Sequence, residues 1–287
     1  MNEERVTYGG LAAEMRRRLE GIYGAGEARA MVRLIFHHLK GWDTTQQIIN
    51  DTLPASERVI HACADILKRL ERQEPLQYIL GEARFYGMDL QVSPAVLIPR
   101  PETAELVDII VSENKQTDLR VLDIGTGSGA IAIALSRNLP FARVTALDVS
   151  AQALEIARAN ARNLHADIRF IHADIFTWQP AGEVFDIVVS NPPYIAESEK
   201  ESMEPNVLEH EPATALFVPD DDPLVYYRRI ADVARESLHG SLYLEINPLY
   251  ASPLEGMLGA RGFDDVRILR DSQGLNRFIT AKINTQE

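Results

Sequence analysis

Four consecutive residues, Asn191-Pro192-Pro193-Tyr194, carry the groups needed to hold a planar NH2 group. They follow the apolar run 185–189 and are therefore expected in the loop at the carboxyl end of a strand. The side-chain oxygen of Asn191 and the backbone carbonyl of Pro192 would accept both hydrogens and turn the nitrogen lone pair toward an electrophilic methyl group. Two prolines stiffen the loop and remove competing N–H donors, and Tyr194 offers an aromatic surface. An ordinary proline turn is the alternative for the tetrapeptide alone.

Residues 121–129 form a second segment of interest, because an apolar run there enters a glycine-rich turn that opens a helix. Gly125 and Gly127 permit positive φ and close approach of a ligand, while Gly129 allows tight packing of the helix against the strand. The glycine spacing differs from that of a dinucleotide-binding turn, and a purely structural turn also tolerates glycine. The candidate cofactor residues of this segment are Asp123, Gly125, Thr126, Gly127, Ser128 and Gly129.

Acidic residues also end the next two predicted strands. Asp148 follows Gly125 by 23 residues, where a carboxylate can accept hydrogen bonds from both hydroxyls of a ribose. Asp174 follows the third strand, where it can accept an adenine amino hydrogen while Ile175 packs on the ring. Each acid alone is more often a helix cap or a solvated loop residue, but their placement at three successive strand ends favours a nucleoside site.

S-adenosylmethionine fits this set of residues better than a nicotinamide cofactor. A nicotinamide enzyme needs a pyrophosphate cradle and would leave the proline-rich tetrapeptide without a role. S-adenosylmethionine carries an amine, a carboxylate and a sulfonium but no phosphate. Asp123 and the glycine turn would hold its methionine end, and Asn191 would lie beside the transferred methyl. S-adenosylhomocysteine would be the product.

The elements around these segments predict an α/β fold, a doubly wound Rossmann-like methyltransferase sheet that is mostly parallel and ends in an antiparallel hairpin. Apolar runs predict parallel strands at 121–124, 144–148, 168–171, 185–189 and 242–246, helices at 130–138, 151–164 and 224–238, and a terminal hairpin at 266–269 and 277–283. Helical periodicity before residue 80 predicts a small N-terminal bundle. The predicted domains are 1–80, a hairpin-like connector at 81–97, and a methyltransferase domain at 98–287.

Composition limits the partners. Residues 1–80 hold 11 basic and 11 acidic residues, so the remaining 18 basic and 31 acidic residues carry the whole net charge of −13. Such an acidic surface repels phosphates, which disfavours nucleic acid as a partner. The single cysteine, the scattered histidines and the absence of long apolar runs predict no disulfide, no metal site, no membrane segment and a cytoplasmic location. A monomer is expected.

Three motifs in order resemble the HemK/PrmC family of peptide chain release factor glutamine methyltransferases. They are the segments 97–103 (Leu-Ile-Pro-Arg-Pro-Glu-Thr), 123–129 and 191–194. The sequences of 74–81, 85–87 and 211–216 also resemble those of the family. The resemblance implies transfer of a methyl group to the side-chain amide nitrogen of glutamine in the Gly-Gly-Gln tripeptide of bacterial class I release factors. It also implies that the N-terminal domain grips the release factor, that Asn191, Pro192 and Tyr194 are catalytic, and that residues 191–194 bind the substrate.

Other functions stay open at this point. A glutamine methyltransferase of a ribosomal protein, an amino-methyltransferase acting on adenine in DNA or RNA, and a non-enzymatic cofactor-binding scaffold each fit part of the pattern. Two positions depart from the family pattern: Asn247 stands near a position where glycine is expected, and Ile175 where some relatives have an aromatic residue. Arg100 is interpreted equally well as a ligand contact or as a tie for the connector.

Overall fold

The computed structural model describes residues 6–283, so residues 1–5 and 284–287 of the predicted domains lie outside the described part. Contacts divide the chain into two units. One comprises the residues up to Gly81 together with Pro205–His210, and the other comprises Glu82–Glu204 and the residues from Glu211 onward. No helix among the described residues is long and apolar enough to cross a membrane.

The N-terminal unit is built from helices α1 (Tyr8–Lys40), α2 (Thr44–Ile49), α3 (Glu57–Leu70) and α4 (Leu76–Leu80), with the later helix α8 (Pro205–His210). Thr7 caps the N-terminus of α1, because its hydroxyl accepts a hydrogen bond from the Gly10 N–H, and the helix is interrupted at Gly24, where φ is 78°. Buried Met15, Leu19 and other apolar side chains of α1 pack with α3 into a core of their own.

The second unit opens with an antiparallel hairpin of β1 (Glu82–Phe85) and β2 (Met88–Gln91), followed by helix α5 (Pro101–Glu113). Helix α5 was not among the predicted helices. It begins inside a proline-rich run, with Pro101 at its first position, where the missing N–H costs nothing. Its buried Leu106, Val107 and Ile110 pack in one of the two cores that flank the central sheet.

The central sheet has seven strands in the order β10-β11-β9-β6-β3-β4-β5. They are β3 (Arg120–Ile124), β4 (Arg143–Asp148), β5 (Ile168–His172), β6 (Phe185–Ser190), β9 (Leu238–Glu245), β10 (Asp264–Arg270) and β11 (Asn276–Lys282). The first five are parallel, whereas β11 is antiparallel to both β9 and β10. The predicted fold is therefore confirmed, including the antiparallel C-terminal hairpin.

Helices cover both faces of the sheet. They are α6 (Ala130–Asn138), α7 (Ala151–Asn163), α9 (Val225–Ser237) and α10 (Ala251–Ala260), and the short strands β7 (Ile195–Ala196) and β8 (Phe217–Val218) pair beyond β6. Adjacent residues of β3 point to opposite cores, with Val121 in one and Leu122 in the other. The strand order reverses between β3 and β6, which is where doubly wound folds bind ligands at the carboxyl ends of their strands.

Candidate active site

The glycine turn and the tetrapeptide lie side by side at this reversal. Ile124, the last residue of β3, pairs in register with Ser190, the last residue of β6. The Ser190 hydroxyl donates to the Ile124 carbonyl at 2.7 Å and ties the two strand ends together. Gly125 and Asn191 are the next residues of their chains. The structure therefore brings the two predicted segments to one edge of the sheet.

Glycine is required in the turn by its backbone conformation. Gly125 and Gly127 have φ of 74° and 54°, and a Cβ on either would meet no heavy atom within 4 Å. The space beside the turn is thus open to a ligand. Gly129 has a second constraint, because a Cβ there would lie 3.2 Å from the Ala157 Cβ of α7. The close neighbour is thus a helix and not the strand that the sequence analysis predicted.

Asp123 is fully buried beneath the glycine turn. Its Oδ2 accepts hydrogen bonds from the Thr126 hydroxyl at 2.7 Å and from the Ala132 N–H at 3.1 Å. Its Oδ1 is buried and has no hydrogen-bond partner among the described residues. Burial raises the pKa of the Asp123 carboxyl to about 7. An orphaned acidic oxygen beside an open glycine turn fits a ligand that carries a cationic amine.

Asp148 links the glycine turn to the neighbouring strand β4. Its two oxygens accept hydrogen bonds from the Gly127 N–H and the Ser150 N–H, each at 2.8 Å. Burial raises the pKa of the Asp148 carboxyl, although these backbone donors oppose that shift. Each oxygen keeps a second lone pair, so the carboxylate can still accept hydrogen bonds from ribose hydroxyls.

The third predicted acid, Asp174, is exposed after β5, and its Oδ1 accepts a hydrogen bond from the Phe176 N–H at 2.9 Å. Ile175 is buried in the core beneath the sheet rather than open to the edge. The exposed apolar side chain here is Phe176, whose ring centroid lies 5.0 Å from that of Tyr226. An aromatic surface is therefore present one residue beyond the predicted position.

The tetrapeptide is held by side chains from distant parts of the second unit. Asn191 Nδ2 donates to Thr103 Oγ1 at 3.2 Å, and the Thr103 hydroxyl donates to Glu245 Oε2 at 2.7 Å. The Tyr194 hydroxyl donates to the other oxygen of Glu245 at 3.1 Å. Among the hydrogen bonds between described residues, none is accepted by Asn191 Oδ1 or by the Pro192 carbonyl. Two acceptors are thus available at the loop.

Burial dominates the electrostatics of this network. Glu245 is 1% exposed, and desolvation raises the pKa of its carboxyl even though Thr103, Tyr194 and Arg277 stabilise the charged form. Desolvation, followed by the charge of Glu245, also raises the pKa of the Tyr194 hydroxyl well above its ordinary value. Tyr194 therefore stays neutral, and its ring is an apolar surface with an anchored hydroxyl.

Comparison with known proteins identifies the family. Residues 103–214 match the model of the methyltransferase small domain, and residues 11–81 match the model of the PrmC N-terminal domain. The release factor glutamine methyltransferase of Bacteroides thetaiotaomicron is 46% identical over 279 residues, which cover 94% of this chain and 98% of that protein. The chain belongs to the release factor glutamine methyltransferase family.

A second member of the family, from Flavobacterium psychrophilum, is 42% identical over 255 residues, which cover 87% of this chain and 88% of that protein. The crystal structure of a methyltransferase from Pyrococcus furiosus matches with a TM-score of 0.51 at 16% identity, covering 76% of this chain and 98% of that one. The second match concerns the fold alone. The family resemblance seen in the sequence is confirmed.

Asn247, the departure from the expected family pattern, contacts the tetrapeptide. It is 5% exposed, and its Nδ2 donates to the Tyr194 carbonyl at 3.2 Å and to Glu199 Oε1 at 3.0 Å. Its Oδ1 accepts a hydrogen bond from the Leu249 N–H at 3.1 Å. The asparagine therefore supports the loop in a way that a glycine side chain does not allow.

Arg100, in the segment 97–103 that resembles the family, ties that segment to Glu211. Its guanidinium forms a 2.6 Å ion pair with Glu211 Oε1, and the Glu211 side chain is 1% exposed. Glu211 Oε2 also accepts a hydrogen bond from the Ile98 N–H at 3.3 Å. Of the two interpretations of Arg100, the described contacts support the structural tie.

Sequence reasoning missed Thr103 and Glu245. Thr103 ends the segment 97–103 that resembles the family, and Glu245 lies within the predicted strand 242–246, but neither position by itself indicated a role in the site. They are 142 residues apart in sequence and meet because α5 and β9 pack together. One signal was present, since an acidic residue ending a strand buried on both faces requires a partner.

Proposed function

We propose that this protein transfers a methyl group from S-adenosylmethionine to the side-chain amide nitrogen of the glutamine in the Gly-Gly-Gln tripeptide of bacterial class I peptide chain release factors. The observation that carries the proposal is the pair of acceptors, Asn191 Oδ1 and the Pro192 carbonyl, beside an open glycine turn. Membership of the release factor glutamine methyltransferase family supports the choice of substrate. The reaction would take place in the cytoplasm, where translation ends.

The methyl donor would be held by Asp123, Asp148 and the turn Gly125–Gly129. The orphaned oxygen of Asp123 matches a cationic methionine amine, and Asp148 has lone pairs available for the ribose hydroxyls. Asp174 and the apolar side chains near it would border the adenine ring. When bound, S-adenosylmethionine supplies an electrophilic methyl group whose sulfur leaves as a neutral thioether.

The residues of the tetrapeptide would orient the acceptor nitrogen. An amide lone pair is delocalised, so the nitrogen attacks poorly unless both of its hydrogens are held and the lone pair faces the methyl carbon. Asn191 Oδ1 and the Pro192 carbonyl accept those hydrogens, while the ring of Tyr194 packs against the carboxamide. As the nitrogen–carbon bond forms and the sulfur–carbon bond breaks, positive charge grows on nitrogen, and the two oxygens stabilise it.

A strong general base is unnecessary in this mechanism. Methylation removes the amide conjugation and makes the remaining N–H hydrogens acidic, so one proton leaves to water after the new bond has formed. The product is a neutral N-methyl amide. The loop therefore contributes through orientation and through electrostatic stabilisation of the transition state.

The N-terminal unit would contribute a binding surface for the release factor. Ile48 and Ile49 of α2 are 68% and 69% exposed, and such apolar side chains together favour a protein contact. A cavity of about 400 Å³ near them is lined by Trp42, Arg29 and Arg33 among others. Replacing both isoleucines with serine should raise KM for intact release factor by at least about 10-fold, because burial of each isoleucine side chain in a contact is worth about 1.5–3 kcal/mol. KM for a short Gly-Gly-Gln peptide should not change.

Parallel methylation assays test the substrate. Labelled S-adenosylmethionine is supplied with release factor, with release factor whose tripeptide glutamine is replaced by alanine, with ribosomal proteins, and with DNA and RNA. We expect label on the unmodified release factor alone. Label that persists after loss of the glutamine, or that appears only on ribosomal protein or nucleic acid, would contradict the proposal and identify the alternative acceptor.

A further inference from the structure

We propose that Thr103 and Glu245 are positioning residues that fix the orientation of the Asn191 amide, so that its oxygen and not its nitrogen faces the substrate. This inference rests on the proposed function and deepens it. Neither side chain is needed as a substrate contact, because both act through the hydrogen bonds that they make to Asn191 and Tyr194.

The first step is the carboxylate of Glu245. It ends β9, is 1% exposed, and has one hydroxyl on each of its oxygens, Thr103 at 2.7 Å and Tyr194 at 3.1 Å. An ionised carboxylate accepts hydrogen bonds and donates none. Both hydroxyls must therefore direct their only hydrogen toward Glu245.

The second step is the hydroxyl oxygen of Thr103. Its hydrogen is committed to Glu245, so toward Asn191 it presents lone pairs alone. The amide of Asn191 meets it with Nδ2 at 3.2 Å. A flipped amide would set Oδ1 against the Thr103 oxygen, two acceptors with no hydrogen between them. Although the two ends of an amide have nearly the same shape, this contact distinguishes them.

The third step concerns the substrate. With Nδ2 of Asn191 held by Thr103, Oδ1 is turned away from that contact and is free to accept a hydrogen from the glutamine amide. In the flipped state an NH2 group would face the substrate NH2 group, and two donors form no hydrogen bond. The transition state would then lose one of the two acceptors that stabilise the nitrogen.

Protonation of Glu245 would release this constraint. A protonated carboxyl can donate to Thr103, which frees the threonine hydrogen to point at Asn191 and favours the flipped amide. The titratable groups that face Glu245 are Glu102 of α5, Tyr194 after β6, Tyr227 of α9 and Arg277 of β11. Burial raises the pKa of Glu245, so kcat should fall as the pH falls through that raised value.

The test compares Thr103→Val with Thr103→Ser. Valine keeps the shape but has no hydroxyl, so kcat for release factor should fall by about 10-fold, the equivalent of one lost hydrogen bond, while the Kd for S-adenosylmethionine is unchanged. Serine should restore most of the activity. The matched control is Thr280→Val, because Thr280 is also buried but its hydroxyl has no partner among the described residues. That variant should keep the wild-type kcat.

Combination with Asn191→Ala separates positioning from a general structural role. In that background Thr103→Val should lower kcat no further, since both changes remove the same contact. Two results would overturn the inference: a wild-type kcat in Thr103→Val, or a loss of kcat on adding Thr103→Val to Asn191→Ala that equals its loss in the wild-type background. An inactive wild-type enzyme would instead refute the proposed function. If Thr103→Val does not fold, Thr103→Ala with the same Asn191→Ala partner gives the same two outcomes.

Discussion

The two loops of the candidate site, 125–129 after β3 and 191–194 after β6, are held in place by different means. The glycine turn depends on its own backbone, with positive φ at Gly125 and Gly127 and a carboxylate from the adjacent strand on the Gly127 N–H. The tetrapeptide depends on side chains supplied by α5 and β9. Backbone conformation thus shapes the glycine turn, the proposed donor half of the site, whereas packing of distant side chains shapes the tetrapeptide, the proposed acceptor half.

The largest effect should come from Asn191→Ala. Loss of one acceptor from the transition state should lower kcat by roughly a thousandfold, as removal of a preorganised hydrogen-bonding group does in other enzymes. The Kd for S-adenosylmethionine, measured by calorimetry, should change little, because the donor half does not depend on this side chain. Asn138→Ala is the control, since among the described residues the Asn138 side chain donates only to the Ala134 carbonyl of its own helix. Equal losses of S-adenosylmethionine affinity and of kcat would contradict the separate roles assigned to the two loops.

Asp123→Asn should alter the pH dependence of stability. Burial places the pKa of Asp123 at about 7 in the folded protein, above the ordinary value of an unfolded aspartate. Between about pH 4 and 7 the folded state holds a proton that the unfolded chain has released, so the free energy of unfolding falls as the pH rises. Three pKa units correspond to about 4 kcal/mol, so over this range the free energy of unfolding should decline by about 4 kcal/mol less in the variant than in the wild type. Urea unfolding across this range measures it, and unchanged slopes in the two proteins would show that Asp123 titrates normally.

Asp148→Asn tests the link between the glycine turn and β4. An asparagine places an NH2 group against either the Gly127 N–H or the Ser150 N–H, so one hydrogen bond is replaced by donor–donor repulsion. Affinity for S-adenosylmethionine should fall by about 10- to 100-fold. Asp186→Asn is the matched control, because Asp186 pairs with Arg120 at the opposite end of β6. Wild-type affinity in Asp148→Asn would count against a role for this carboxylate.

Asn247→Ala should have the smallest effect. It removes the hydrogen bond to the Tyr194 carbonyl but leaves Asn191, Thr103 and Glu245 in place, so kcat should fall by about threefold. Steady-state kinetics with release factor measure the change. A loss as large as that of Asn191→Ala would mean that the tetrapeptide depends on its backbone contacts more than on Asn191 itself.

The sequence allowed most of the sheet to be predicted, because its strands are short apolar runs that alternate with helices. Helix α5 was not predicted, because it begins in a proline-rich run before Thr103 and such a run is typical of a turn. Strand β9 starts at Leu238, four residues before the predicted run, because His239 and Gly240 interrupt its apolar pattern. Where packing against neighbouring elements determines the ends of a helix or strand, polar residues and prolines in the sequence make those ends hard to predict.

The sequence likewise predicted the parts of the candidate site that lie at strand ends and not those that depend on packing between elements. The placement of Gly125, Asp148 and Asn191 at one edge could be predicted from the sequence, since strand ends of a parallel sheet meet there. Thr103 and Glu245 could not, because the contact between them depends on how α5 packs against β9. The burial of Ile175 and the exposure of Phe176 were also not predictable, because the exposure of two adjacent residues after a strand depends on the turn that Asp174 makes.

A structure of the enzyme with S-adenosylhomocysteine and a Gly-Gly-Gln peptide tests the central claim most directly. The account predicts that the glutamine side-chain nitrogen lies about 2.7–3.2 Å from both Asn191 Oδ1 and the Pro192 carbonyl, with the nitrogen facing the sulfur. A glutamine nitrogen bound by other groups, or a 191–194 loop turned away from the sulfur, would contradict it.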